Sequence, residues 1–199
     1  MPDRDTDENL LRRARAGEED AFLLIYTRHR VAMYRFARRL LGSEGSAEDV
    51  THDCFLSLFQ NPERFDATRG ASLRTYLFAA VHNLAMKQFR RAGREMWIDE
   101  MTDEPQQQQT PDTQQPLSRL IEAELSATVR AAVENLPALQ REVLILFEFE
   151  DLSLSEIAVV LDAEVNTVKS RLARGRAGLR RTLSPYLERR EALVGASEK

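Results

Sequence analysis

Residues 153–176 read SLSEIAVVLDAEVNTVKSRLARGR, and the order of signals inside them points to the fold. Ser153 and Glu156 form a capping-box pattern that opens a short helix carrying Ile157, Ala158 and Leu161. Asp162-Ala163-Glu164 makes a tight turn. A longer basic helix follows, with Val168, Leu172 and Leu179 directed inward. A capped helix, a turn of three or four residues and a basic helix is the order of a helix-turn-helix, whose second helix enters the major groove. With Val168 and Leu172 inward, Thr167, Lys169, Ser170, Arg171 and Arg174 face outward, and Arg176 continues the basic run. An arginine can grip guanine O6 and N7 with two hydrogen bonds, which separates bases by about 1–3 kcal/mol. A helical hairpin with a solvated basic face has the same residues, so this stretch alone leaves both readings open.

Upstream, Pro137 marks the first turn of another helix, with Leu139, Val143, Leu146 and Phe147 along it. Residues 117–134 read as a helix with Leu120, Leu125, Val129 and Val133 on it. Residues 92–116 differ from everything around them. They hold Glu104-Pro105, the run Gln106 to Gln109, Thr110-Pro111 and Gln114-Gln115-Pro116, with Trp97, Ile98 and Met101 as apolar exceptions. Such a composition buries too little apolar surface to offset the entropy of ordering it, and it reads as a flexible linker. Before it, Phe22, Ile25, His29, Met33, Phe36 and Leu40 share a helical face that ends at Gly42. Ser46-Ala47-Glu48-Asp49 resembles a capping box, opening a helix with the apolar stripe Val50, Cys54, Phe55, Leu58 and Phe59, stopped by Asn61-Pro62. Residues 65–71 read as a loop. A third helix carries Leu73, Leu77, Ala80, Val81, Leu84 and Gln88 on one side, and a short helix around Glu8 to Ala16 precedes all of these. No alternating strand pattern competes. The expectation is an all-α chain of two small helical domains, residues 1–91 and 117–199, joined by a linker at 92–116.

The chain has 199 residues and a net charge of −4, which by itself argues against nucleic acid. The charge is segregated, however. No acidic residue lies between Ala67 and Arg94, where Arg69, Arg74, Lys87, Arg90, Arg91 and Arg94 stand. None lies between Val165 and Leu187, where Lys169, Arg171, Arg174, Arg176, Arg180 and Arg181 stand. Two basic segments in an acidic chain suggest two contacts with an anionic polymer, the alternative being two solvated helix faces. The single cysteine, Cys54, excludes an internal disulfide and argues against a cysteine-based zinc site. His52 and Cys54 stand two residues apart on a helix and point to different faces, so they do not make a nucleophile and base. No catalytic residue, metal site or cofactor is expected. The N-terminus shows no signal-peptide pattern and no apolar run reaches the length of a bilayer span, so the expectation is a soluble cytoplasmic protein.

Two groups of motifs carry a resemblance. Leu136-Pro137, Arg141-Glu142-Val143-Leu144, Leu154-Ser155-Glu156-Ile157-Ala158 and Thr167-Val168-Lys169-Ser170-Arg171-Leu172-Ala173-Arg174 resemble the C-terminal, promoter-binding region four of extracytoplasmic-function sigma factors. In the other half, Ala47-Glu48-Asp49-Val50 with His52-Asp53 and Phe55 resembles the helix of region two that docks on RNA polymerase. Arg69-Gly70, Leu73-Arg74-Thr75-Tyr76-Leu77-Phe78, Asn83-Leu84-Ala85 and Arg90-Arg91 resemble the helix of that region that reads the minus-ten element. Tyr76 stands where the family usually has tryptophan, His52 where it has glutamine, and Asp162-Ala163 where the turn usually carries glycine and a larger apolar residue.

The resemblance implies a protein that binds core RNA polymerase, directs it to promoters and helps to melt promoter DNA. Asp49, His52 and Asp53 would meet the polymerase. Phe65, Arg69, Arg74, Tyr76, Asn83, Lys87, Arg90 and Arg91 would serve the minus-ten element, the loop from Phe65 to Ser72 receiving a base flipped from the non-template strand. Thr167, Lys169, Ser170, Arg171, Arg174 and Arg176 would serve the minus-thirty-five element. It also implies an anti-sigma partner and a monomer when free. Two rivals are a conventional helix-turn-helix regulator, which needs an effector domain, and a helical adaptor without DNA contact.

Overall fold

The computed structural model describes residues 6–66, 70–91 and 127–197, with side chains described as far as residue 186. Among the described residues all regular structure is helical and no strand occurs. The contacts divide the chain into two units, Met1–Met96 with Ile145–Val168, and Trp97–Leu144 with Lys169–Lys199. The linker at 92–116 and the start of the helix read at 117–134 lie outside the described residues. The domain limits 1–91, 92–116 and 117–199 therefore stand as a proposal from composition.

In the first unit, α1 (Asp7–Arg15) begins at Thr6, whose hydroxyl accepts from the Asn9 N–H. Its Leu10 and Leu11 are buried. The long α2 (Glu19–Leu41) stops where Gly42 takes φ +73°, a left-handed conformation that costs glycine little. Ile25, Met33 and Phe36 of α2 are fully buried, as the periodicity predicts. His29 lies in the same row and is 6% exposed, its Nε2 held 2.8 Å from Asp7 Oδ2.

Helix α3 (Glu44–Gln60) is capped by Ser43, three residues before the cap read at Ser46. Ser43 follows the left-handed Gly42 in extended backbone, so its hydroxyl is first in line to accept from the Ser46 N–H. Val50, Cys54, Phe55 and Leu58 are buried, whereas Phe59 is 55% exposed and rests edge-on against Phe22, centroids 4.9 Å apart. A 3₁₀ turn, Pro62–Arg64, follows.

Helix α4 (Leu73–Arg91) buries Leu73, Leu77, Phe78, Val81, Ala85 and Phe89. The buried stripe thus passes beside Leu84 and Gln88, which are only half-buried. Phe78 meets Phe36 edge-to-face at 5.3 Å, and α2, α3 and α4 share one core. Each such aromatic pair adds about 0.5–1.5 kcal/mol to the burial of its area.

Residues 127–134 are helical (α5). Helix α6 (Ala138–Glu148) starts directly after Pro137, whose carbonyl accepts from Gln140 and Arg141, one residue later than first-turn placement of the proline predicts. Val143, Leu144, Ile145 and Leu146 are buried. Helix α7 (Leu154–Val160) opens with the full capping box of Ser153 and Glu156. Two acidic residues have positive φ, Asp151 at 52° before α7 and Asp162 at 48° in the turn after it. Aspartate tolerates this region better than most side chains, which is how the turn closes without glycine. Helix α8 (Val165–Ser197) carries the basic run. In the second unit it lies close to α6, since a Cβ added at Gly175 would stand 3.3 Å from the Gln140 carbonyl oxygen.

Candidate nucleic-acid interface

Asp49, His52 and Asp53 are all exposed on α3, and at i, i+3 and i+4 they share one face. Leu56 lies one turn on and is 40% exposed, so the acidic face carries an apolar neighbour that periodicity alone did not single out. Cys54 points the other way. It is 2% exposed, burial pushes its thiol up to about 12, and its nearest partner is the Leu77 carbonyl. A thiol held neutral inside a core is unreactive.

Helix α4 presents a longer surface. Tyr76, Asn83, Lys87 and Arg90 recur at spacings of seven, four and three residues, which places them on one stripe of a helix. Asn83, Lys87, Arg90 and Arg91 are exposed and Tyr76 is half-buried. At the head of this stripe is a cavity of about 280 Å³. Ser57 of α3, Arg64 of the 3₁₀ turn, and Tyr76, Ala79, Asn83 and Leu84 of α4 line it. Cys54 and Ala80 complete the wall, which is mostly apolar and carries an aromatic ring, a guanidinium, an amide and a hydroxyl. Burial pushes the Tyr76 hydroxyl above its usual value, so it remains a neutral hydrogen-bonding group.

Phe65 does not line the open space. It is 4% exposed and packs edge-on against Tyr76 at 5.5 Å, the packing role for this ring. Arg69 lies outside the described residues. Arg74 is half-buried, with its guanidinium 5.1 Å over the Phe78 ring and donating to the Glu150 carbonyl. Next to it, the Thr75 hydroxyl donates to Glu156 Oε1 at 3.1 Å, and Arg39 pairs with the Glu150 carboxylate at 2.8 Å. Burial pushes the Glu150 carboxyl up, against the pull of Arg39, Arg74 and Arg35. Ser57 and Arg64 were not legible as site residues, because they reach α4 only through the tertiary fold.

On α8, Val168 and Leu172 are buried, while Lys169, Ser170, Arg174 and Arg176 are exposed. Arg174 and Ser170 sit one turn apart, with Nη2 to Oγ at 3.4 Å. Thr167 is half-buried. Arg171 departs from the outward orientation read from sequence. Its guanidinium lies 3.8 Å from the buried Glu142 carboxylate, and its side chain is 16% exposed. The physical reason is Glu142, whose carboxylate is buried and draws the guanidinium toward it. Arg171 thus helps to hold α8 on α6.

A family model described as Sigma-70 region 2 matches residues 25–95, and another described as Sigma-70, region 4 matches residues 126–179. The chain is similar to the ECF RNA polymerase sigma factor SigW of Bacillus subtilis, with 30% identity over 178 residues, 87% of this chain and 94% of that one. Among solved structures it resembles CnrH in complex with the cytosolic domain of CnrY, with a TM-score of 0.64 and 26% identity over 90% of this chain and 97% of that one. It also resembles the sigma factor RpoE in complex with the anti-sigma factor NepR from Bartonella quintana, with a TM-score of 0.61 and 25% identity over 82% of this chain and 96% of that one.

Proposed function

The chain belongs to the extracytoplasmic-function (ECF) RNA polymerase sigma factors, and from that membership we propose how its surfaces divide the work of starting transcription. A sigma factor binds core polymerase, directs it to promoters and helps to open the DNA. We assign polymerase binding to Asp49, His52 and Asp53 on α3, with Leu56 as an apolar neighbour. An acidic face of this kind suits a basic helix on the polymerase.

The minus-ten element falls to α4. The observation that carries this assignment is the cavity at the head of the Tyr76, Asn83, Lys87 and Arg90 stripe. A base taken out of the duplex needs a pocket with hydrogen-bonding groups, and its backbone needs nearby cations. Arg64, Tyr76 and Asn83 are suited to the base, and Lys87, Arg90 and Arg91 to the phosphates. Phe65 supports Tyr76 from behind. Arg69 belongs to the same loop by sequence. Arg74 would have to leave its contact with the Glu150 carbonyl to reach DNA. The minus-thirty-five element falls to Lys169, Ser170, Arg174 and Arg176, with Thr167 at the helix start and Arg171 fixing the helix from within.

The CnrH and RpoE structures are complexes with partner proteins, and we propose an anti-sigma partner here also. Among the described residues no helix is long and apolar enough to cross a membrane, and we place the protein in the cytoplasm as a monomer when free. Run-off transcription with core polymerase and a fluorescent adenine analogue in the minus-ten non-template strand tests the α4 assignment. Asn83→Ala should reduce both the fluorescence rise and the transcript. An unaltered fluorescence rise would remove the cavity from promoter opening.

A further inference from the structure

We propose that Arg15, on the first helix, is a positioning residue for base capture: it braces the turn that forms one wall of the α4 cavity. The proposal rests on the reading of that cavity as the site for an unstacked base. Arg15 Nε donates to the Pro62 carbonyl at 3.1 Å, and Nη2 donates to the same oxygen at 2.5 Å and to the Phe65 carbonyl at 2.7 Å. Those two carbonyls bracket Arg64, which lines the cavity, and belong to the segment that sets the Phe65 ring against Tyr76.

The segment has little to hold it by itself. The 3₁₀ turn Pro62–Arg64 is three residues long, and the Arg64 N–H to the Asn61 carbonyl is its own closing bond. Carbonyls at the end of such a short helix have no partner inside it. A planar guanidinium can span both of them at once, which a lysine ammonium cannot do with the same rigidity. The brace also starts from a fixed base. Leu10 and Leu11 bury α1, and Asp7 ties its start to Arg28 and His29 of α2 at 2.5 and 2.8 Å. The neighbouring acid, Glu18, is taken by Arg13 at 2.9 Å, so it does not draw Arg15 away. The fixed α1 thus transmits its position to Arg64 and Phe65, and through them to the cavity.

The test uses the full chain in complex with core polymerase. Promoter opening is read from the fluorescent adenine analogue, on intact templates and on templates with an abasic nucleotide at each minus-ten position in turn. For the parent, one abasic position should depress opening, because no base fills the cavity. On the intact template, Arg15→Ala should lower opening about tenfold, the loss set by a charge-assisted hydrogen bond. On the template abasic at the sensitive position, Arg15→Ala and parent should open alike. Arg15→Lys should recover little of the loss, and polymerase affinity should not change. Equal losses on intact and abasic templates, or weakened polymerase binding, would overturn the proposal by making Arg15 a general stabiliser. An Arg15→Ala protein as active as the parent would overturn it outright. If no abasic position mattered to the parent, the cavity reading itself would fall, and the role of Arg15 with it.

Discussion

Arg174 and Arg91 are both exposed arginines on helices, yet they are assigned different work on DNA. Arg174 stands beside Ser170 on the face of α8 opposite the buried Val168 and Leu172, and we assign it to a base edge. Arg91 closes α4 beside Arg90, and we assign it to a phosphate. Arg174→Ala should therefore lose discrimination at one position of the minus-thirty-five element, by about 1–3 kcal/mol if that base is a guanine. Arg91→Ala should weaken holoenzyme binding on all sequences about equally and reduce the salt slope by about one unit. Competition binding at several salt concentrations separates the two, and unchanged sequence preference in Arg174→Ala would leave it a phosphate contact at most. Sequence could place Arg174 outward because Val168 and Leu172 define the inner face of its helix. It could not place Arg171, whose partner Glu142 is far away in the chain. Asp7 illustrates the same limit. Burial raises its carboxyl, but His29 and Arg28 outweigh that and hold it below its ordinary 3.8. A depressed carboxylate contributes stability that is present above its ordinary value and is lost as pH falls through the lowered one. Hydrogen exchange of Leu10 and Leu11 should accordingly rise as pH drops below about 4, after correction for intrinsic exchange. Asp7→Asn should remove that dependence, and an identical pH profile in the variant would exclude this clasp as its cause.

At the scale of elements, the helices with wide apolar stripes were legible and the short-range signals at their ends were less so. Periodicity located α2, α4, α6 and α8, because burial of Ile25, Leu77, Val143 or Val168 is a one-sided property of the helix that carries it. The start of α3 was misread since Ser46 and Asp49 imitate a cap, whereas the left-handed Gly42 puts Ser43 into the capping geometry first. Phe59 follows the apolar spacing of α3, but it stays 55% exposed with Phe22 edge-on against it. The cavity escaped sequence reading altogether, since α3, the 3₁₀ turn and α4 each contribute lining residues. Helix α8 adds a case where two glycines look alike and are not. A Cβ at Gly178 would come within 2.8 Å of a Leu136 side-chain methyl, which can rotate away. A side chain at Gly175 would press on the backbone carbonyl of Gln140 at 3.3 Å and on Leu144. Gly178→Ala should stay within about 1 kcal/mol of the parent, the gain in helix propensity offsetting the displaced methyl. Gly175→Leu should lose about 1–3 kcal/mol, because overpacking there separates α8 from α6. Urea unfolding of the full chain measures both, and equal midpoints for the two variants would refute the distinction.

For the molecule as a whole, the question is how two DNA-binding surfaces on a chain of net charge −4 reach two promoter elements at once. On the proposed assignment the polymerase would hold the minus-ten surface near the site of melting, and the chain between the two family matches would cover the rest. Residues 92–116, assigned as a tether from composition, comprise about 25 residues, with a limit of ~80 Å when fully extended. A flexible coil of that length would have a relaxed end-to-end distance of only ~25–30 Å. Two turns of B-DNA cover ~70 Å. The tether can therefore join sites two turns apart, with little slack if it must also follow a channel through the polymerase. Deleting Gln106 to Gln115 would leave about 15 residues and a limit of ~50 Å, which falls short of that span. Such a deletion should preserve folding and polymerase affinity, yet sharply lower transcription from promoters that need both elements. On a promoter that depends on the minus-ten element alone, parent and deletion should differ little, because no second site has to be reached. A Gly/Ser replacement of equal length should keep most of the activity, since it restores reach without restoring sequence. Run-off transcription on the two promoter types reads all of these arms. A deletion as active as the parent on the two-element promoter would exclude the tether mechanism. An inactive Gly/Ser replacement would instead assign a binding role to the glutamine-rich sequence itself.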